Sequence, residues 1–492
     1  MNLICRILTI TFILLVQASS ASIADQPARP NILFFLADNW AWPHASALGD
    51  ATARTPVFDR VAREGVLLNH AFCPVPSCSP TRSCILTGRA AHQLEDAASL
   101  WSAFPRKFAV FTQQLQDAGY QVGFSGKGWS PGRYEEYGWS ENPVGKQYKS
   151  FAEFMAQRDV SKPFFFWNGN TDTSHNKWNY EPVGWYGLDP KSVSVPPELP
   201  DLEAVRLSML AYYGGVSRID ADAGRCIAEL EQRSLIDDTL IVYTSDNGWQ
   251  MPRGLANCYD SGTRVPLAIR WGKNLTAGRR TDEFVSLTDL APTFLQLAGL
   301  KIPDAMTGKS FVDVLFDQPS DIRRDHVFLE RERHANVRHG NLSYPVRGIR
   351  TKEFLYLWNL RPDRWPAGDP EIHFAVGDYG DVDNSRAKLF MLANTSDPDI
   401  APLFELNFGK RPAEELYDLS KDPHQINNVA GNPEYAAAQK TLRSEVEQWM
   451  RETADPRTDP HFDEWDNYPY FGPPVADRQR NPQKAKGRIA NP

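Results

Sequence analysis

The sequence has no excess of positive charge. Its 492 residues include 53 lysines and arginines against 61 aspartates and glutamates, for a net charge of −8. A general nucleic-acid binder needs a basic surface to meet the phosphate backbone, so this class of function is disfavoured. We therefore expect no nucleic acid among the partners of this protein.

Long apolar runs are absent except at the amino terminus. Arg6 precedes an apolar run at residues 7–16, and small residues follow at 18–22. A charge, a short apolar core and a small-residue exit are typical of a secretory signal peptide, which we place at residues 1–21. The run is short for a membrane-spanning helix, so a membrane anchor is the less favoured alternative. The sequence predicts an exported protein, periplasmic or extracellular, without a transmembrane segment.

Cysteine is also scarce. One of the six cysteines, Cys5, lies in the signal peptide, which leaves Cys73, Cys78, Cys84, Cys226 and Cys258. An odd number in an exported chain indicates that one cysteine is kept for something other than pairing. Four cysteines can pair in three ways, and the sequence does not choose among them.

The larger part of the chain alternates strand-like and helix-like segments. Residues 30–39, PNILFFLADN, and residues 239–248, TLIVYTSDNG, are typical of buried parallel strands. Thr55 and Pro56 begin a predicted helix, and a long helix is predicted at 202–234, with Gly214 and Gly215 as candidate break points. This alternation predicts an α/β fold with a doubly wound sheet.

The pattern changes near residue 346, where strand-like pieces lack clear helical partners. A last amphipathic helix is predicted near residues 434–453. We predict a large domain at 29–345, a smaller α+β C-terminal domain at 346–470, and a disordered tail at 471–492.

Two of the apolar strands end in the same pair of polar residues. Asp38 and Asn39 follow the first strand, and Asp246 and Asn247 follow the later one. Ligands bind beyond the carboxyl ends of strands in open α/β sheets, so these four side chains are expected to meet. Oxygen ligands of this kind suit Ca²⁺, with Mg²⁺ as the alternative. The competing interpretation is that each pair caps a turn or a helix.

The stretch PSCSPTRSCILTGR, residues 76–89, predicts a short helix. Ser79 is the expected N-cap, Pro80 the first helical residue and Gly88 the stop. Cys78 would then lie just before a helix N-terminus, where N–H groups favour an anion. Arg82 lies about one turn further on and can face the same anion.

The two cysteines of this stretch have different expected roles. Cys84 lies inside the predicted helix beside apolar residues, which is typical of a buried packing residue. For Cys78, the competing interpretation is a disulfide with Cys73 or Cys258.

The motifs of this sequence resemble those of the formylglycine-dependent sulfatases. CSPTR followed by LTGR resembles the signature of that family, and its companions follow in order, among them GYQVGFSGKG, SDNG and YDSGTRVPLAIRWG. RERHANVRHG and GKRPAEELYDLSKDPHQ are similar to the heparan N-sulfatase-like (N-sulfoglucosamine sulfohydrolase-like) members. The resemblance covers nearly the whole mature chain. It implies an alkaline-phosphatase-like α/β/α sandwich with a smaller α+β C-terminal domain.

The resemblance also implies a set of roles. Cys78 would be converted by a formylglycine-generating enzyme to formylglycine, whose hydrated aldehyde is the nucleophile. Arg82 and Lys127 would orient the nucleophile and the sulfate, and His175 would serve the leaving group. The implied ligands of a Ca²⁺ ion are Asp38, Asn39, Cys78 as its hydrate, Asp246 and Asn247.

The implied reaction is sulfate hydrolysis on a sulfated oligo- or polysaccharide. N-sulfated glucosamine and O-sulfated algal or host polysaccharides are the options. His334 and Arg364 become candidate substrate contacts, against the simpler interpretation that they are solvated surface residues.

The sequence departs from the family pattern at several positions. Asn39 stands where many members have a second aspartate, and Trp129 stands where many have a histidine. Leu255 stands at the position of a sulfate-binding lysine, and Arg253 is the candidate substitute. His175 comes one residue later than usual. These departures keep two alternatives open: a degenerate sulfatase that binds sulfated glycans without turnover, and a phosphomonoester or phosphonate hydrolase of the same superfamily.

Overall fold

The computed structural model describes residues 29–371 and 377–472. The predicted signal peptide lies outside these residues, and so does the predicted tail beyond residue 472. The described residues form a large mixed sheet covered by helices on both faces, and a smaller antiparallel sheet.

The larger sheet has eight strands in the order β4-β3-β5-β1-β6-β7-β2-β8. Neighbouring strands are parallel, except that β7 runs antiparallel to both β6 and β2. The strands are β1 (Asn31–Ala37), β2 (Val66–Phe72), β3 (Gln121–Gly126), β4 (Lys146–Gln147), β5 (Phe164–Gly169), β6 (Thr239–Ser245), β7 (Leu267–Arg270) and β8 (Arg279–Ser286).

The α-helices surround the two sheets. They are α1 (Pro56–Arg63), α2 (Cys78–Thr87), α3 (Phe111–Asp117), α4 (Phe151–Gln157), α5 (Glu203–Gln232), α6 (Asp260–Thr263), α7 (Leu290–Leu297), α8 (Val312–Leu315), α9 (Arg386–Ala393), α10 (Ala401–Phe408), α11 (Ala436–Glu452) and α12 (Glu464–Asn467).

The central strand β1 shows why helices cover both faces. Successive strand residues point to opposite faces of a sheet. Phe34 packs in one apolar cluster with residues of α2, α3 and α7. Its neighbour Phe35 packs in the other cluster with residues of α1, α4 and α5. An unbroken apolar strand therefore buries both of its faces, and the predicted α/β/α sandwich is confirmed.

The smaller sheet has the order β12-β11-β10-β9, with every pair antiparallel. Its strands are β9 (His326–Arg331), β10 (Val346–Thr351), β11 (Phe354–Asn359) and β12 (Glu414–Asp418). One face packs on α11, and the other packs on residues of the large domain such as Phe72 and Phe284. This sheet begins at β9, ahead of the boundary at residue 346 expected from the sequence.

The long helix α5 runs without a break through Gly214 and Gly215, which the sequence marked as candidate break points. Their role is close approach. A Cβ on Gly214 would lie 2.1 Å from the Gly184 carbonyl oxygen, and one on Gly215 would lie 2.4 Å from that of Asp172. The two glycines thus let the segment that carries His175 lie directly on the helix.

Among the described residues, no helix is both long enough and apolar enough to cross a membrane.

Candidate active site

The ends of β1 and β6 place the two Asp-Asn pairs side by side. These strands pair in parallel register up to Ala37 and Ser245, so the residues that follow leave the sheet together. Asn39 has a φ of 68°, in the left-handed region that asparagine tolerates better than most residues. This turn brings the Asn39 N–H within 3.1 Å of Asp246 Oδ1. The predicted meeting of the two strand ends is present in the structure.

Helix α2 brings Cys78 to the same point. The helix begins at Cys78, one residue before the predicted N-cap Ser79, and ends at Gly88 in the left-handed conformation (φ 63°). Ser77 occupies the N-cap position, but its hydroxyl pairs with His334 Nδ1 at 2.8 Å instead of capping the helix. The sequence therefore predicted the end of this helix correctly but placed its N-cap two residues too late, at Ser79 instead of Ser77.

The acidic and sulfur groups converge tightly. The ligand atoms of Asp38, Cys78 and Asp246 lie within 4.8 Å of one another, and all three residues are buried. Cys78 Sγ lies 3.9 Å from Asn39 Oδ1. Such a group of donors could hold a metal ion directly beside the Cys78 side chain.

Two cations neutralise the carboxylates. The Arg82 guanidinium donates to Asp246 Oδ2 at 2.9 Å and to the carbonyls of Lys127 and Gly128 at 2.7 and 2.8 Å. It is fully buried behind the cavity. The Lys127 ammonium forms a very short ion pair with Asp38 Oδ1 and faces the cavity. Arg82 therefore positions the carboxylates, whereas Lys127 can reach a bound ligand.

Burial and charge shift the pKa values of these groups. Burial raises the pKa of the Asp38 carboxyl, but Lys127 and then Arg82 lower it more, and the net pKa is well below the ordinary value. Burial and the nearby Asp38 charge raise the pKa of Asp246 to about 6. Burial, with Asp38 next, raises the pKa of the Cys78 thiol well above its ordinary value. Since the thiolate is the nucleophilic form of cysteine, unmodified Cys78 is poorly suited to attack at neutral pH.

The amide groups fit a cation as well. Asn247 Nδ2 donates to Asn39 Oδ1 at 2.6 Å. Asn247 Oδ1 is buried and has no hydrogen-bond partner among the described residues. A buried acceptor without a donor is rare, and a metal ion would satisfy it. All four predicted oxygen ligands are thus compatible with a hard cation such as Ca²⁺.

The five cysteines outside the predicted signal peptide are all buried and free, so none of them forms a disulfide in the structure. This removes the disulfide interpretation of Cys78 with Cys73 or Cys258. Cys84 is fully buried in the core beneath α2, as predicted.

A cavity of about 1230 Å³ opens above this cluster. We call Asp38, Asn39, Cys78 and Lys127 the floor of the cavity. Two predicted site residues, His175 and His334, also line it. Burial lowers the pKa of His334 to about 4, so this imidazole is neutral at neutral pH.

Two positions at which the sequence departs from the family pattern, Trp129 and Leu255, lie in different surroundings. Trp129 is 1% exposed, does not line the cavity, and donates its indole N–H to Ser83 Oγ at 2.8 Å. It fills the space beneath α2. Leu255 does line the cavity, so the wall is apolar at the position of the family lysine.

Two predicted substrate contacts point elsewhere. The Arg253 guanidinium donates to the carbonyls of Leu406 and Gln425 at 3.1 and 2.5 Å and lies 3.7 Å from the centre of the Tyr259 ring. Arg364 pairs with Asp466 at 2.9 Å. Neither arginine lines the cavity, which is at odds with their predicted roles. Arg253 was predicted to replace the family lysine because it lies two residues before Leu255 in sequence. The chain turns at Arg253 (φ 63°), and this proximity in sequence does not bring its side chain into the cavity.

Several lining residues were missed by the sequence reasoning. Ser174 donates a very short hydrogen bond to Asp38 Oδ2. Gln250 Oε1 accepts from Asn39 Nδ2 at 3.1 Å and from the His175 N–H at 2.5 Å, while its Nε2 donates to Asp383 at 2.5 Å. Gln250 follows SDNG closely, and that proximity was a usable signal.

Other missed residues come from a distant part of the chain. Asp383 and Arg386 lie between β11 and the body of α9, and Arg386 lies 4.3 Å from the centre of the Tyr180 ring. We call Tyr180, Asp383 and Arg386 the side wall of the cavity. No local sequence motif marks these positions.

Comparison with known proteins decides the family. A sulfatase sequence profile matches residues 30–300, and a profile for the C-terminal part of N-sulphoglucosamine sulphohydrolase matches residues 253–369. The chain belongs to the sulfatase family. Human N-sulphoglucosamine sulphohydrolase is 28% identical to it, over 87% of this chain and 91% of the human protein. The family inferred from the motifs is confirmed, and the protein is a sulfuric ester hydrolase, as predicted.

Solved structures share the fold of this sulfatase. One, described as a complex with its substrate D-glucosamine-2-N,6-O-disulfate, has a TM-score of 0.60 at 22% identity and covers 88% of this chain and 99% of that one. The phosphonate monoester hydrolase of Agrobacterium radiobacter also has a TM-score of 0.60, at 19% identity, covering 86% and 96%. The fold alone therefore does not separate sulfate from phosphonate chemistry.

Proposed function

We propose that this sulfatase hydrolyses a sulfate ester or an N-sulfate of a sulfated carbohydrate, with Cys78 matured to formylglycine and a Ca²⁺ ion at the floor. The observation that carries this proposal is the convergence of Cys78 with Asp38 and Asp246 within 4.8 Å. A high thiol pKa argues against direct attack by unmodified Cys78 and favours its role as the precursor of another nucleophile.

The proposed formylglycine and the proposed Ca²⁺ ion have different roles in the reaction. A hydrated aldehyde at position 78 would supply two hydroxyls: one for attack on sulfur, with departure of the leaving oxygen or nitrogen, and one whose deprotonation would expel sulfate and restore the aldehyde. When bound, Ca²⁺ supplies positive charge for the sulfate oxygens. Asp38, Asn39, Asp246 and Asn247 would hold the ion, with Mg²⁺ as the alternative.

The residues of the chain act around this centre. Lys127 offers its ammonium to the charge that develops on the sulfate oxygens. Arg82 keeps the Asp246 carboxylate aimed at the cluster through its 2.9 Å hydrogen bond. His175 lines the cavity beside the floor and is the candidate proton donor to the leaving oxygen or nitrogen.

Substrate and maturation are part of the same proposal. Human N-sulphoglucosamine sulphohydrolase and the structural neighbour that binds a glucosamine disulfate favour a sulfated glucosamine residue of a glycosaminoglycan. The mature protein would be exported and would depend on a formylglycine-generating enzyme. The cavity is large enough for more than a single sulfate group.

The test is sulfate release by protein made in a host with a formylglycine-generating enzyme. N-sulfated glucosamine, 6-O-sulfated glucosamine and sulfated algal oligosaccharides are compared with an aryl phosphate and a phosphonate monoester. We expect release from at least one sulfated sugar, loss of release after treatment with a chelator, and recovery with Ca²⁺. Hydrolysis of the phosphorus esters alone would favour the phosphonate hydrolase alternative. Tight glycan binding by calorimetry with no release would favour a degenerate binder.

A further inference from the structure

The cavity extends well beyond its floor. Its volume of about 1230 Å³ exceeds the range of about 300–1,000 Å³ common for small-ligand pockets. In the side wall, Asp383 and Arg386 come from the C-terminal half of the chain and Tyr180 from the N-terminal half. A substrate larger than one sulfated group would therefore contact both regions.

Arg386 on the side wall is an uncommitted cation. It is half-buried, and its guanidinium lies 4.3 Å from the centre of the Tyr180 ring. Within residues 29–371 and 377–472, no carboxylate lies at ion-pair distance from it. An arginine held over an aromatic face keeps its planar N–H donors for a carboxylate or a sulfate.

Other arginines near the cavity are already committed. Arg331 and Arg338 both donate to Asp381, at 2.5 and 2.6 Å. Arg82 donates to Asp246 behind the floor. Among the described residues, Arg386 is the arginine that lines the cavity, and it can neutralise an anionic ligand there. Leu255 lines the same cavity without the lysine charge expected from the family pattern.

Arg386 is also set apart from the floor. Between Cys78 and the side wall runs a chain of contacts from Asn39 to Gln250 at 3.1 Å and from Gln250 to Asp383 at 2.5 Å. Asp383 accepts from Gln250 and does not form an ion pair with Arg386, although the two are three residues apart. Among the residues that the structure describes, no hydrogen bond or ion pair joins Arg386 to the floor, so a sulfate that pairs with Lys127 leaves Arg386 available for a second anion.

We propose that Arg386 binds a second anionic group of the substrate, a carboxylate or a further sulfate, remote from the sulfate that is cleaved. This inference rests on the proposed function and makes the substrate an acidic saccharide with at least two anionic groups. Asp383, on the same wall, is placed to accept a hydrogen bond from a sugar hydroxyl.

The experiment compares Arg386→Gln and Arg386→Lys with the parent protein on matched substrates. The set contains an aryl monosulfate with no other charged group, a singly sulfated glucosamine, the same sugar linked to a uronic acid, that disaccharide with its carboxyl reduced, and a disulfated glucosamine. We expect Arg386→Gln to lower kcat/KM about 10- to 100-fold, mainly through KM, on substrates with the second anion only. Arg386→Lys should recover part of the loss because it keeps the charge.

Arg106→Gln is the matched control, because the Arg106 guanidinium lies 5.3 Å from the Trp139 ring centre and outside the cavity. A loss confined to the uronic-acid substrate identifies a carboxylate ligand, and a loss confined to the disulfated sugar identifies a sulfate. An equal loss on every substrate, or no loss on any, overturns the inference.

Failure of the proposed function would be visible separately. If the parent protein releases no sulfate from any substrate, binding is measured by calorimetry in the Cys78→Ala background. Weaker binding of doubly anionic saccharides on adding Arg386→Gln still supports the inference, and unchanged binding overturns it.

Discussion

The floor and the side wall of the cavity differ in how their charges are satisfied. At the floor, Asp38 pairs with Lys127, and Asp246 behind it pairs with the buried Arg82. On the side wall, Asp383 and Arg386 are half-buried and do not pair with each other. Preorganised, buried charge suits bond breaking, because it needs no rearrangement during the reaction. The Arg386 charge, held over the Tyr180 ring, suits selection among substrates. From this difference we propose that the floor carries out the chemistry and that the side wall selects among substrates.

Cys78 should show the largest effect, because it is the proposed source of the nucleophile. Cys78→Ala should lower kcat by about 10³-fold or more. Cys78→Ser should do the same unless a maturation enzyme that accepts serine is present. The measurement is sulfate release from the best saccharide found. Cys84→Ala is the control, since Cys84 is buried in the same helix and only packs. A comparable loss of kcat in Cys78→Ala and Cys84→Ala would contradict the catalytic role proposed for Cys78.

Lys127 should show the next largest effect. Lys127→Met removes the ammonium that faces the cavity and leaves the Asp38 carboxylate without its short ion pair. We expect kcat on an aryl monosulfate with no other charged group to fall about 10²- to 10³-fold. Protein stability should fall less in the presence of Ca²⁺ than without it, because the ion would replace the lost charge. A change in kcat below about threefold would contradict this role.

The residues of these two regions were not equally predictable from the sequence. Asp38, Cys78 and Asp246 follow strand ends or begin a helix, so local patterns and the sheet topology place them together. Asp383 and Arg386 reach the cavity only because their segment folds back from the small domain. Buried Lys388 helps to hold that segment through hydrogen bonds to the carbonyls of Tyr379 and Val382, at 3.2 and 2.6 Å. No short-range pattern encodes such a contact.

The same dependence on contacts between distant parts of the chain explains the wrong prediction for Arg253. Arg253 was expected in the cavity from its place beside the motif, but its side chain stacks on Tyr259 instead. The error at the start of α2 is a local one: Pro80 is typical of a first helical residue, but the helix begins two residues earlier, at Cys78. The alternating strands and helices, by contrast, depend on local periodicity and were predicted well.

Gln250 joins the floor to the side wall, and its substitution should have an intermediate effect. Gln250→Glu keeps an oxygen for Asn39 but replaces the donor to Asp383 with a second negative charge. We expect kcat/KM for the preferred saccharide to fall about 10-fold, because the repulsion displaces the side wall.

Gln113→Glu is the matched control for this change. Gln113 is exposed and also donates its Nε2 to an aspartate, Asp117, at 3.0 Å, but it does not line the cavity. Its kcat/KM should stay at the parent value. Unchanged kinetics in Gln250→Glu would show that the two regions work independently.

His334 should give the smallest effect, on stability rather than on turnover. Its folded pKa of about 4 lies below the ordinary value of 6.5, because burial disfavours the charged imidazole. The stability that it contributes is therefore complete above pH 6.5 and is lost as the pH falls towards 4. The loss is about 3 kcal/mol at most.

Urea unfolding of His334→Gln measures this effect, since glutamine can still pair with Ser77. The variant should become more stable relative to the parent as the pH falls from 6.5 to 4. Parallel pH profiles for the parent and His334→Gln would contradict the buried, neutral imidazole.

The most direct test of the central claim is the chemical state of Cys78. The protein is produced with a formylglycine-generating enzyme, and the peptide that contains residue 78 is analysed by mass spectrometry. We predict a peptide lighter by the difference between a thiol and an aldehyde, in proportion to the sulfate-releasing activity of the preparation. An unmodified Cys78 in a fully active preparation would contradict the account.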